Sequence, residues 1–121
     1  MNLRQFITWA RDSGDLVEVV VPVDPHLEQA RVEHTLDGRP VLFRALTNYP
    51  SWRALSGMCA QRDYLASALG CPVPEVVHRL ALAAEGPIPP SVRPAAPCQE
   101  VVLSNPDLSR APIPRYHALD G

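Results

Sequence analysis

The chain has 121 residues, 46% apolar and 20% charged, with a net charge of −2: enough for one domain that buries its core without disulfides or metal, with no overall charge bias toward nucleic acid. All eleven basic residues are arginine, which excludes a P-loop lysine, a Schiff-base lysine and a lysine general base within these residues. Cys59, Cys71 and Cys98 are odd in number and form no C-x-x-C pair, so neither a disulfide framework nor a zinc knuckle is encoded, and a reducing cytoplasmic setting is expected.

Asn2 predicts the cap of a first helix in which Leu3, Phe6, Ile7 and Ala10 share one face and Gly14 supplies the stop. Residues 16–21 form a β-branched run that ends at Pro22, as a buried strand does. Asp24-Pro25 then reads as an N-cap and first-turn pair opening a second helix through about Leu36. Its apolar stripe is thin, Leu27 and Ala30 with Leu36 nearby, and Asp37-Gly38 turns the chain. Residues 41–46 predict a second strand, Asn48 to Ser51 a turn, and residues 52–57 a third strand of weaker propensity. A helix over 61–69 would turn Leu65, Ala66 and Leu69 inward and stop at Gly70. A fourth starts near Pro74, with Val76, Val77, Leu80, Ala81 and Ala84 as the most regular apolar stripe, and ends at Gly86.

The last thirty-six residues hold eight of the fourteen prolines. Each proline removes a backbone donor and fixes φ, so this stretch reads as an extended strap interrupted by one strand, about 98–103. The expected fold class is α+β, a small mixed β-sheet covered by about four helices with a Pro-rich C-terminal strap. Residues 1–86 would form the scaffold domain, and 87–121 the strap, the strand and a linker that reaches the Asp120-Gly121 turn signal and leads toward something absent. No apolar run approaches the roughly 20 residues that span a bilayer, and no cationic region followed by an apolar one opens the chain, so a soluble, unexported protein without membrane contact is expected.

Chemistry-bearing residues are sparse. His26, His34, His78 and His117 lack metal-type spacing. Asp12, Asp15 and Glu18 form a loose acidic cluster best read as a solvated turn, and Glu28, Arg31 and Glu33 as helix-face charges. Cys98 has no neighbouring histidine to activate it. Ser56-Gly57 is not part of a G-x-S-x-G elbow, and Gly57, Gly70 and Gly86 are isolated, so no phosphate-cradling loop is present. Only Arg115, Tyr116 and His117 join capable side chains to a backbone stiffened by prolines. They are candidates for a pocket rim or a domain interface, against the plainer reading of a linker whose tyrosine packs on the surface.

The opening Asn2-Leu3-Arg4-Gln5-Phe6-Ile7, the Val23-Asp24-Pro25 step, Gly38-Arg39-Pro40-Val41-Leu42-Phe43 and the Ala68-Leu69-Gly70 helix end occur in order along the chain. After them come Pro87-Ile88-Pro89-Pro90, Ala96-Pro97-Cys98-Gln99-Glu100-Val101-Val102, Asp107-Leu108, and Pro112-Ile113-Pro114 with His117 and Asp120-Gly121. Together these motifs resemble the N-terminal domain of the UbiD-type decarboxylases over essentially the whole chain. The segment between Glu28 and Gly38 is shorter than in that pattern, and Met58-Cys59-Ala60 replaces a stretch that more commonly holds Asn or Gly.

The resemblance implies reversible decarboxylation of aromatic or α,β-unsaturated acids in a full-length enzyme, with prenylated FMN as electron sink beside a divalent metal and potassium. It places the Glu-Arg-Glu catalytic set and those cofactors in a split-barrel domain beyond this chain. No residue here matches those motifs, so it assigns these residues no catalytic, cofactor-binding or metal site and no activity of their own. The implied partner is that missing catalytic domain or a companion chain, with self-association through the exposed interface as a further consequence. The alternatives are a stand-alone non-catalytic module docking onto a separately encoded catalytic chain, and a small-molecule sensor using the Arg115-Tyr116-His117 rim.

Overall fold

The computed structural model describes residues 1–120; Gly121, the second half of the expected terminal turn, lies outside the described residues. Helix α1 (Leu3–Asp12) begins in a reciprocal capping box: Asn2 Oδ1 accepts from the Gln5 backbone N–H at 2.9 Å, and Gln5 Oε1 accepts from the Asn2 N–H at 2.8 Å. Strand β1 (Val17–Val19) pairs in parallel with β2 (Val41–Phe43), which pairs antiparallel with β3 (Ala54–Ser56), in the order β1-β2-β3. Between β1 and β2 the chain crosses over through α2 (Glu28–Thr35). Helices α3 (Arg62–Leu69) and α4 (Val76–Glu85) follow, the latter entered through a 3-10 turn at Val73–Glu75. The fold is α+β, with four helices and a three-stranded mixed sheet among the described residues.

Strand alternation gives the sheet two apolar faces. Val41 and Phe43, both fully buried, join Val23 and Leu46 in one core cluster, onto which Val32 and Leu36 pack from the α2 side. On the opposite face Leu42 and Leu55 are cross-strand partners, and Leu55 packs on the second cluster, Phe6, Ala10 and Tyr64, formed by α1 and α3. Phe6, Trp9 and Tyr64 form a tilted and edge-to-face aromatic trio with centroids 5.7 to 6.1 Å apart. Gly57, directly after β3 at φ +75°, has to be glycine because any Cβ there would sit 2.5 Å from the Arg39 carbonyl oxygen.

Several sequence expectations change. The first strand stops at Val19 because β2 offers it only three partners, leaving Val20 and Val21 exposed. In α3 the inward residues are Tyr64 and Ala66, not Leu69, since the tyrosine ring is drawn into the aromatic trio. Helix α4 forms as expected, but of its stripe only Val76 is buried. The strand expected at 98–103 is absent. Its start is a 3-10 turn, Pro97–Gln99, with Gln99 Oε1 accepting from the Ala96 N–H, and Val101, Val102 and Leu103 are exposed. The run pairs with no strand of the sheet, and an extended segment without a ladder partner has no reason to persist as a strand.

Candidate functional site

The second helix starts later than its Asp24-Pro25 signal suggests. Asp24 Oδ1 instead accepts from the His26 N–H at 2.8 Å, and Glu28 Oε2 accepts from the Asp24 N–H at 2.7 Å. Between them Leu27 takes φ +65° and ψ −32°, with the Glu28 N–H bonded to the His26 carbonyl at 2.7 Å. That is a γ-turn of the strained hand, rare for a residue carrying a side chain.

Onto this turn the C-terminal segment docks. His26 and Arg115 form a parallel bridge: the Leu27 N–H donates to the Arg115 carbonyl at 2.8 Å, and the Arg115 N–H to the Pro25 carbonyl at 3.0 Å. Pro112 and Pro114 cannot donate and hold the chain extended as it arrives. The Arg115 guanidinium then donates to the carbonyls of His117 and Ala118, so it folds its own loop rather than facing a ligand. Asp120 Oδ2 completes the loop by accepting from the Tyr116 and His117 N–H groups at 2.9 and 2.8 Å, bonds that hold its carboxyl below the usual carboxylate range.

Tyr116 makes the side-chain connection. Its hydroxyl donates to Glu33 Oε2 at 2.9 Å, while Glu33 Oε1 accepts from Gln29 Nε2 at 2.9 Å. Burial pushes the Tyr116 phenol up to about 12, helped by its hydrogen bond to Glu33 and by that carboxylate's charge. Gln29 is only 3% exposed, and its Oε1 has no partner among the described residues. Leu27, Arg31, His34, Tyr116 and His117 frame a shallow cleft of about 630 Å³ beside this contact.

The three residues singled out in the sequence therefore sit together, in different roles: Arg115 as a backbone clasp, Tyr116 as a latch onto α2, and His117 at the cleft edge. Sequence reasoning missed their counterparts. Glu33 had the look of an ordinary surface charge; the signal was the thin apolar stripe of α2, which leaves Gln29 and Glu33, one turn apart, to fill the inward side. The acidic cluster does not assemble, because Glu18 binds Arg11 at 2.8 Å and Arg44 at 2.5 Å, and Asp15 accepts from Ser13. Among the described residues no group of three or more His, Cys, Asp or Glu side chains is placed to hold a metal, and no helix is long and apolar enough to cross a membrane.

Comparison with known proteins gives a consistent set of likenesses. The sequence model of the 3-octaprenyl-4-hydroxybenzoate carboxy-lyase N-terminal domain matches residues 7–84. Anhydromevalonate phosphate decarboxylase of Methanosarcina mazei is 34% identical over 122 residues, covering 100% of this chain and 28% of that protein. The UbiD-class enzyme HmfF from Pelotomaculum thermopropionicum, solved in complex with FMN, superposes with a TM-score of 0.85 at 31% identity over 96% of this chain and 27% of its own. An evolved dimeric form of HmfF in complex with prFMN matches with the same score and identity, over 28% of its length. The chain thus spans a little over a quarter of the length of these relatives.

Proposed function

The chain belongs to the UbiD family as an N-terminal domain, and from that premise we propose that it is a scaffold, inactive by itself, for a catalytic split-barrel domain outside these residues. The complete enzyme would decarboxylate an aromatic or α,β-unsaturated carboxylic acid reversibly. Prenylated FMN, held in that other domain with a divalent metal and potassium, would supply the electron sink. The donor set of this chain does not fit that group: its glycines are scattered, and among the described residues no cluster of acidic, histidine and cysteine side chains is gathered for the metal.

The observation that carries the scaffold reading is the apolar surface left without a partner. On α4, Val77, Leu80 and Leu82 are 63%, 48% and 50% exposed, and the strap adds Ile88, Val92, Val101, Val102 and Leu103. An exposed apolar array of this extent, running from one helix into the following segment, is the mark of a surface made to be covered. The clasp at Arg115 and the latch at Tyr116 then serve as an interface device: they return the strap to α2 and fix where the chain leaves the scaffold.

The test pairs the chain, as a separate polypeptide, with the part of the Methanosarcina mazei relative that follows the matched region. The chain alone should retain no flavin and release no carbon dioxide from candidate acids, whereas it should co-purify with the catalytic portion when the two are co-expressed. Flavin retention or carbon dioxide release by the chain alone would overturn the reading.

A further inference from the structure

On the sheet face opposite α2, a half-open groove of about 590 Å³ runs between α1 and β3. Its floor is apolar, with Leu42 and Leu55 from adjacent strands and Ile7 from α1. Four arginines stand along it: Arg4 and Arg11 on the helix side, Arg44 after β2, and Arg53 before β3. In a chain of net charge −2 this concentration of cations is local and one-sided.

Among the described residues one carboxylate pairs with them. Glu18, the cross-strand neighbour of Leu42, spends one oxygen on Arg11 and the other on Arg44, which lowers its own pKa and fixes both guanidinium groups at the groove. Arg44 is held through Nε, and its terminal nitrogens form no hydrogen bond among the described residues. Among the described residues Arg4 and Arg53 make no ion pair. Trp52, 48% exposed, forms one wall. An apolar floor, an exposed tryptophan and a row of unspent guanidinium forks are the composition of a protein-recognition surface. An enclosed cavity would bury most of a small ligand, and this groove is open along one side.

We propose that this groove docks an extended acidic segment of a partner protein, its carboxylates taken by Arg4, Arg44 and Arg53 and an apolar side chain seated on Leu42 and Leu55 against Trp52. Charge complementarity selects the occupant: forked donors match carboxylates in pairs, while a neutral or basic segment would leave the cations unpaired and desolvated. Because the groove shares no residue with α4 or the strap, it stands independently of the scaffold reading.

The probe is a short fluorescent peptide alternating glutamate with leucine, titrated onto the full chain at low salt and followed by anisotropy. Saturable binding that weakens steeply with salt is expected. Arg4→Ala combined with Arg53→Ala should lose at least tenfold in affinity with unchanged circular dichroism and melting, since both side chains are exposed and make no ion pair among the described residues; Trp52→Ala should weaken binding as well. Equal binding of a glutamine-for-glutamate peptide, or full affinity in the arginine double variant, would overturn the proposal. So would displacement of the peptide by equimolar benzoate, which would hand the groove to small organic anions.

Discussion

Leu27 is where a single residue carries the most backbone strain. Its γ-turn at φ +65° aims an N–H at the Arg115 carbonyl and an open helix end at Asp24, whose carbonyl accepts from the Gln29 N–H at 3.0 Å. Glycine adopts that conformation without the Cβ penalty, so Leu27→Gly should raise stability by about 1 kcal/mol in urea unfolding, the gain offset in part by glycine's greater freedom when unfolded. Tyr116→Phe should cost about 1 kcal/mol, one hydrogen bond to a partly exposed carboxylate. The pH dependence follows from two shifts. The Tyr116 phenol is raised to about 12, so its contribution is complete below the ordinary tyrosine range near 10 and disappears as pH rises through about 12. Asp120 is lowered, so its contribution is present above the ordinary carboxylate range and disappears as pH falls through its folded value. Difference absorbance between the parent and Tyr116→Phe should show a phenol titrating near 12, and Glu33→Gln should bring it down toward 10. The Arg115-Tyr116-His117 cluster stood out in the sequence because Pro112 and Pro114 lead into it. Its partners on α2 were not, because nothing local marks which of several charged residues a segment 83 positions away will touch.

Among the elements, α4 separates pattern from packing. Its sequence carries a regular apolar stripe and forms the expected helix, yet of that stripe only Val76 is buried. Periodicity reports which side of a helix avoids water, not whether the covering surface belongs to the same molecule. Val77→Asp with Leu80→Glu should therefore change the melting temperature of this chain little, as neither side chain is buried, and should abolish co-purification with the catalytic portion. The 98–103 run teaches the converse. Its β propensity is real, but a strand exists through its neighbour, and the three-stranded sheet offers it none. α1 was legible almost to the residue, because its cap, stripe and stop all lie within its own segment.

At the scale of the whole molecule, both core clusters are built from residues before the strap, whereas the tail is attached by a few polar contacts: Arg115 to the Pro25-Leu27 backbone, Tyr116 to Glu33, and the Tyr49 hydroxyl to the Ser109 carbonyl at 3.1 Å. Truncation after Gly86 should leave a cooperative unfolding transition and the near-ultraviolet signal of the Phe6-Trp9-Tyr64 trio, with stability lowered by about 1 to 3 kcal/mol, the worth of those contacts. Loss of cooperativity would mean that the strap belongs to the core. By itself the sequence determined the α+β class, the order of the helices and strands up to Gly86, the absence of lysine chemistry, and the motif run that resembles the UbiD N-terminal domain. These depend on local spacing, on composition, or on motif order along the chain. Only the tertiary structure decided that the tail returns to α2, that Glu18 gathers two arginines beside a groove, and that the stripe of α4 faces outward. Those facts depend on which distant surfaces meet, and a contact between residues far apart in the chain leaves no periodic mark on either of them.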